Sequence, residues 1–292
     1  MMPRLSRVAA SVVAVLLCAA PAVAGGIIIN HTNGNPSGLS QEAMDAAAGL
    51  KIFFAHASVG SNMIGGLSDL RSSNLTRYPL VTRSDDATPP AATTAGLYEY
   101  GRGNPLWQVK VDDFETYLAN GWGDGRVDVV MNKFCYIDQA AGFTYYRDSM
   151  LAQEALYPSV KFVYMTIPLM ETCGSDGYLR QVFNDNLRAF CAANNKILFD
   201  IADLEAWSPA GVQSTATYTT GGNTYTCQVL YDNYSSDGGH LYNVPLGGEA
   251  DSGRVVVAEG LYSLFAAIAV PEPATMGLLG LGLAALLKRR RR

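Results

Sequence analysis

The sequence predicts an α/β fold built on a mainly parallel five-stranded sheet. Continuous apolar runs at 51–55, 127–136, 160–167 and 196–201 read as strands buried on both faces. Longer segments of helical spacing separate them, so strand and helix alternate along the chain. Residues 25–269 suffice for one large domain, and they contain no long linker, repeat or low-complexity stretch.

The elements follow in order. Residues 40–50 form a helix with Ser40 as its N-cap candidate and Gly49 near its end. Strand 51–55 follows at once, and 58–70 turns helical. Two segments, 78–82 and 96–100, compete for the second strand. Residues 105–118 are helical, with Pro105 in the first turn. Strand 127–136, helix 145–157, strand 160–167, helix 178–194 and strand 196–201 complete the alternation. The texture changes between 212 and 231, where Thr, Tyr and Val alternate around Gly221-Gly222-Asn223, a β-hairpin signal. That insertion either shapes a substrate site or decorates the surface. A helix at 255–268 closes the domain.

Both ends carry address labels. Residues 1–24 read as a secretory signal peptide: Arg4 and Arg7, an apolar core, then Ala22-Val23-Ala24 as a cleavage site for signal peptidase. At the other end stand Pro271-Glu272-Pro273, an apolar helix at 274–287 and a basic cluster from Lys288 to Arg292. Fourteen apolar residues fall short of the ~20 that span a bilayer comfortably. The basic cluster favours the cytoplasmic side, so the helix anchors the chain transiently. This tripartite tail, 270–292, resembles the PEP-CTERM sorting signal of Gram-negative bacteria. The resemblance implies an exosortase as partner, removal of the tail, and delivery to the cell surface or extracellular matrix. A plain membrane anchor is the simpler alternative.

The body between these ends keeps 14 basic and 25 acidic side chains, a balance near −11. Such a surface does not favour nucleic acid or anionic membrane as a partner and suits a surface or matrix protein. Export makes disulfides possible, and the four body cysteines allow three complete pairings. Loop positions favour Cys173 with Cys227. Cys135 and Cys191 sit in strand and helix contexts that suit buried thiols. There is no C-x-x-C, and the histidines are scattered, so no metal site is expected.

The chemistry gathers in two short segments. His56-Ala57-Ser58-Val59-Gly60 follows the first buried strand, and Asp237-Gly238-Gly239-His240 precedes the last helix. A serine hydroxyl becomes nucleophilic when a base takes its proton. His supplies the base near neutral pH, and a carboxylate fixes its tautomer. Separately, Ser58 reads as a helix cap and the Asp-Gly-Gly-His segment as a turn. In this order, at strand ends that a parallel sheet gathers on one edge, they form a candidate catalytic set. Asn62, Tyr136 and Asp138 are candidates for lining the same edge, and His56 reads first as a packing residue. Asp112 and Asp113 have no paired spacing and read as structural carboxylates.

In order of elements and in these motifs the chain resembles the SGNH/GDSL hydrolase superfamily, with His56-Ala57-Ser58 where the family has Gly-Asp-Ser. The resemblance implies a three-layer α/β/α flavodoxin-like fold and a serine esterase with Ser58, Asp237 and His240 as catalytic residues. It needs neither metal nor organic cofactor. The oxyanion hole would be Ser58 with Gly103 and Asn104, because Ile137 stands where a third-block Asn is expected and Ile donates no side-chain hydrogen bond. An ester-bearing substrate follows, with O-acetyl groups of an extracellular polysaccharide suggested by location. Acyl transfer uses the same acyl-enzyme. The alternative is a non-catalytic matrix protein that binds polysaccharide through its 16 tyrosines and three tryptophans.

Overall fold

The computed structural model describes residues 26–270. Seven strands form one parallel sheet: β1 (Ile28–Ile29), β2 (Lys51–His56), β3 (Thr82–Ser84), β4 (Gly96–Gly101), β5 (Val129–Asn132), β6 (Lys161–Met165) and β7 (Ile197–Phe199). Their spatial order is β1-β7-β6-β5-β2-β4-β3. The five inner strands run 2-1-3-4-5 in chain order, the doubly wound arrangement that places a ligand crevice beside its first strand.

The expected count of five strands is corrected to seven. Both candidates for the second strand are used, one as β4 and the other shifted to 82–84 as β3. The seventh, β1, is a two-residue edge strand, too short to carry any periodicity. The predicted strand 127–136 is also shorter, because the chain leaves the sheet after Asn132. Residues 133–138 form the loop beyond it, and that loop faces the site.

Side-chain alternation explains the layers. In β2, Ile52 and Phe54 point to one face and Phe53 and Ala55 to the other, and all four are fully buried. The first face packs against α1 (Gln41–Gly49), α2 (Val59–Ser73), α6 (Ile201–Ala206) and α7 (Gly253–Ala269). The second packs against α3 (Trp107–Tyr117), α4 (Phe143–Leu156) and α5 (Gly174–Ala193). Phe53 stacks on Trp122 at 4.3 Å on that side. The result is a helix–sheet–helix sandwich. Burying Phe53 and Phe54 alone contributes roughly 2–3 kcal/mol each.

The hairpin is β8 (Thr215–Thr220) and β9 (Asn223–Gln228). Gly221 and Gly222 both have positive φ, 57° and 78°, as a two-residue turn between twisted strands demands. Its contacts are with α5 and α6. Tyr178 of α5 meets Tyr225 at 4.3 Å, and a Cys173–Cys227 disulfide fastens the hairpin to the start of α5. Cys135 and Cys191 remain as buried thiols, and burial pushes Cys191 up to about 12.

Candidate active site

All strands of the main sheet are parallel, so their carboxyl ends share one edge. Register fixes what stands there. His56 pairs with Gly101 of β4, and Ala55 with Asn132 of β5. Just past these pairs lie Ser58, Gly103 and Lys133. Arg102 N–H donates to His56 O at 3.0 Å, and Lys133 N–H to Ala55 O at 3.2 Å, tying both neighbouring loops to the end of β2.

Ser58 occupies the N-cap position of α2, yet its side chain makes no capping bond. Its φ of 55° is a conformation that L-residues rarely adopt. Such a residue costs about 1–3 kcal/mol and clusters at functional sites. The hydroxyl goes instead to His240, with Oγ 2.6 Å from Nε2. This removes the helix-cap reading of Ser58.

Asp237 holds His240 from both sides. Its Oδ1 accepts the backbone N–H of His240 at 2.8 Å and that of Gly239 at 3.1 Å. Its Oδ2 lies 2.8 Å from His240 Nδ1. These bonds, the one from the His240 N–H foremost, pull the carboxyl down to about 2. An ionised Asp237 only accepts, so Nδ1 carries the proton and Nε2 presents its lone pair to Ser58. Ser235 Oγ braces the turn by accepting from the N–H groups of Asp237 and Gly238.

The two glycines of the motif each have a reason. Gly238 has φ of 84°, and its carbonyl accepts from Glu171 N–H at 3.1 Å. A Cβ on Gly239 would come within 2.9 Å of the Tyr136 ring. That ring meets His240 edge-on at 5.2 Å, which puts Tyr136 beside the base. Asn62, one turn into α2, accepts the Leu241 N–H at 3.2 Å and fastens the segment after His240. Ser58 and His240, 182 residues apart in the chain, are thus held together from both sides.

Two expected lining residues lie elsewhere. Asp138 is buried behind the edge, where it accepts the Cys135 N–H at 2.6 Å and pairs with Lys110. His56 is 2% exposed, packed under the first turn of α2, where a Cβ on Gly60 would meet its ring. Burial, with the Lys133 and Arg102 charges, holds its imidazole at about 3. The neutral ring donates from Nε2 to Glu99 at 2.8 Å. His56 is therefore a support beneath Ser58, and it does not face ligand.

The N–H groups of Ser58 and Gly103 have no protein acceptor among the described residues. Asn104 is exposed, and its Oδ1 accepts from the Nζ of Lys110, which is wholly buried in α3. Flipping the amide would set N–H against an ammonium, so the NH₂ end stays available. Lys110, Arg102 and Lys133 gather three buried or half-buried cations behind this edge, and burial lowers each. The edge thus offers free backbone N–H groups and an amide beside a serine hydroxyl with a base in contact. Ile137 is about half exposed there and offers no donor. Asp112 is on the surface, bonded by Tyr145.

Sequence reading missed Glu99, Lys110 and Ser235. Lys110 had a signal: it shares the inward stripe of α3 with Val111, Phe114 and Tyr117, where a lysine needs a partner. Among the described residues, no group of three or more His, Cys, Asp or Glu side chains is arranged to hold a metal ion.

Comparison with known proteins bears on the other end of the chain. Residues 269–292 match the PEP-CTERM protein-sorting motif. The motif marks a protein that is exported and processed by an exosortase, with delivery to the cell surface or extracellular space in Gram-negative bacteria. A search of curated proteins finds no match to the chain. Pro271, Glu272, Pro273, the apolar stretch 274–287 and the leader 1–24 lie outside the described residues. Among the described residues, no helix is long and apolar enough to cross a membrane.

Proposed function

We propose that the exported domain is a serine esterase of SGNH type that removes O-acyl groups, acetyl foremost, from a carbohydrate. The single observation that carries this reading is the relay from Ser58 Oγ to His240 Nε2 at 2.6 Å and from His240 Nδ1 to Asp237 at 2.8 Å. The left-handed φ of Ser58, with its hydroxyl on His240 and not capping α2, supports the same reading.

In the reaction Ser58 Oγ attacks the ester carbonyl while His240 Nε2 takes its proton. Asp237 stays ionised and steadies the imidazolium. The carbonyl oxygen gathers charge and is met by the N–H groups of Ser58 and Gly103 and the Asn104 amide. Collapse breaks the bond to the alcohol, which leaves with the proton from His240. Water, deprotonated by His240, then attacks the acyl-Ser58 carbonyl and releases the acid and Ser58. The exposed His240 and Asp237, 40% and 55% accessible, suit a bulky leaving group such as a sugar chain. Location supports the carbohydrate: a sorted surface protein meets extracellular polysaccharide.

The test is hydrolysis of p-nitrophenyl acetate and of acetylated xylan by the purified protein beside Ser58→Ala and His240→Ala. Turnover that disappears in both variants supports the esterase. A folded wild type that turns over neither substrate sinks it.

A further inference from the structure

A cavity of about 320 Å³ lies toward the β1 side of the molecule. It opens between the loop after β1, the turn after α6 and the first turns of α7. β1 stands four strands from β2 in the sheet, which is roughly 19 Å at the usual strand spacing. The volume is in the range of sites for small ligands.

Its wall is preformed. His31 stacks on Trp207 with ring centroids 3.9 Å apart and planes 13° from parallel. Both rings are fixed by one carboxylate: Asp203 lies 2.5 Å from His31 Nδ1 and accepts the Trp207 Nε1–H at 3.2 Å. The charge of Asp203 is thereby used within the wall.

Two other groups have no such partner. Tyr234 lines the cavity and is 2% exposed, yet its hydroxyl makes no hydrogen bond with any described residue. Glu259 is half-buried in the same cavity and has no hydrogen bond or ion pair among the described residues. Asp251 stands at the rim, and burial together with the Asp251 charge raises the Glu259 carboxyl to about 7. Arg254, the cation close by in sequence, is taken by Asp69 at 2.6 and 2.8 Å. The cavity thus holds two unpaired carboxylates and an idle phenol against a flat aromatic wall, and His31 is its one basic side chain.

We propose that this cavity binds a small ligand carrying a primary ammonium group. The ammonium sits between Glu259 and Asp251 and supplies the counter-charge that the protein lacks there. Tyr234 bonds a hydroxyl or amine of the ligand, and the edge of the His31–Trp207 stack covers its carbon skeleton. The same chemistry is offered by an amino sugar and by an alkyl diamine. The inference does not depend on the reading of Ser58.

Calorimetric titration of the purified protein tests it, with D-glucosamine and 1,4-diaminobutane as probes and D-glucose and 1,4-butanediol as their uncharged counterparts. At least one amine binds, its neutral counterpart does not, and the amine that binds identifies the source. Glu259→Gln weakens that amine about ten-fold or more, the loss of a charge-assisted bond. Asp251→Asn, at an exposed position that leaves the fold alone, weakens it several-fold. Absence of binding by both amines overturns the proposal. So does equal binding of an amine and its neutral counterpart, or unchanged affinity in Asp251→Asn together with Glu259→Gln.

Discussion

In the proposed esterase, replacing Asn104 by Ala removes the one side-chain donor assigned to the oxyanion. The magnitude follows from how the amide is held. Its oxygen accepts from the Lys110 ammonium, which is wholly buried and also paired with Asp138. A flipped amide forfeits a bond to a charged donor, worth about 1.5–3 kcal/mol. At the lower figure the flipped form is already below roughly a tenth of the population. The NH₂ end is therefore presented almost all the time, and removing it costs the full value of a preorganised donor, ~10²–10³ in kcat. KM changes little, since the bond strengthens as charge develops.

Lys110→Met probes the same idea from behind. With the lysine gone the amide has two nearly equal orientations, which costs activity only about two- to ten-fold. The protein itself loses about 3–5 kcal/mol, because Asp138 is left buried without its cation. The assay is p-nitrophenyl acetate hydrolysis, with circular dichroism to show that each variant is folded. A folded Asn104→Ala protein within about three-fold of wild type would refute the reasoning, because a donor worth less than ~1 kcal/mol is not part of an oxyanion hole.

Two further outcomes concern stability. Reducing Cys173–Cys227 opens a loop closed across 54 residues of sequence, and chain entropy puts its contribution at about 4 kcal/mol; urea unfolding with and without reductant should show a clear drop in midpoint, and coincident curves would contradict it. Glu205 is fully buried, its Oε2 accepts the Leu169 N–H at 2.6 Å, and burial raises its carboxyl to about 8. Its folded value lies above the unfolded one, so the folded state holds the extra proton. The stabilisation this gives is complete below the usual carboxylate range and is lost as pH rises through about 8. Glu205→Gln, which mimics the protonated form, should match wild type below the usual carboxylate range and exceed it by roughly 3 kcal/mol near neutral pH. Identical pH profiles of the urea midpoint in the two proteins would count against it.

Much of the frame was legible because buried parallel strands advertise themselves. Lys51–His56 and Lys161–Met165 read as unbroken apolar runs, and Ser40 announced its helix, whose Ala43 N–H its side chain does cap. The meeting of Ser58 with His240 was anticipated from the order of their segments, although the chain reaches Asp237 only after α6 and the β8–β9 hairpin. The hairpin was legible in Gly221-Gly222. What stayed hidden depends on partners distant in sequence. Ile28–Ile29 becomes a strand only because β7 lies beside it. The start of α5 at Gly174 was concealed by Gly-Ser-Asp-Gly, which reads as a turn. Residues 133–136 look like strand but are drawn out of the sheet, with Lys133 donating to Phe134 O and Cys135 N–H to Asp138. Glu99 and Lys110 declare a role only once His56 and Asn104 are beside them. The cavity beside β1 has no sequence signature, since its lining is gathered from four separate stretches between His31 and Glu259.

The most direct measurement is covalent capture of the serine. A fluorophosphonate reacts with a serine hydroxyl only when a base activates it. One adduct per chain is expected, mapped by peptide mass spectrometry to Ser58, absent in Ser58→Ala and slowed at least a hundred-fold in His240→Ala (roughly the lower end of what a missing base costs). A folded protein that takes up no label, or takes it elsewhere than Ser58, would contradict the claim that Ser58, His240 and Asp237 work as one nucleophilic unit.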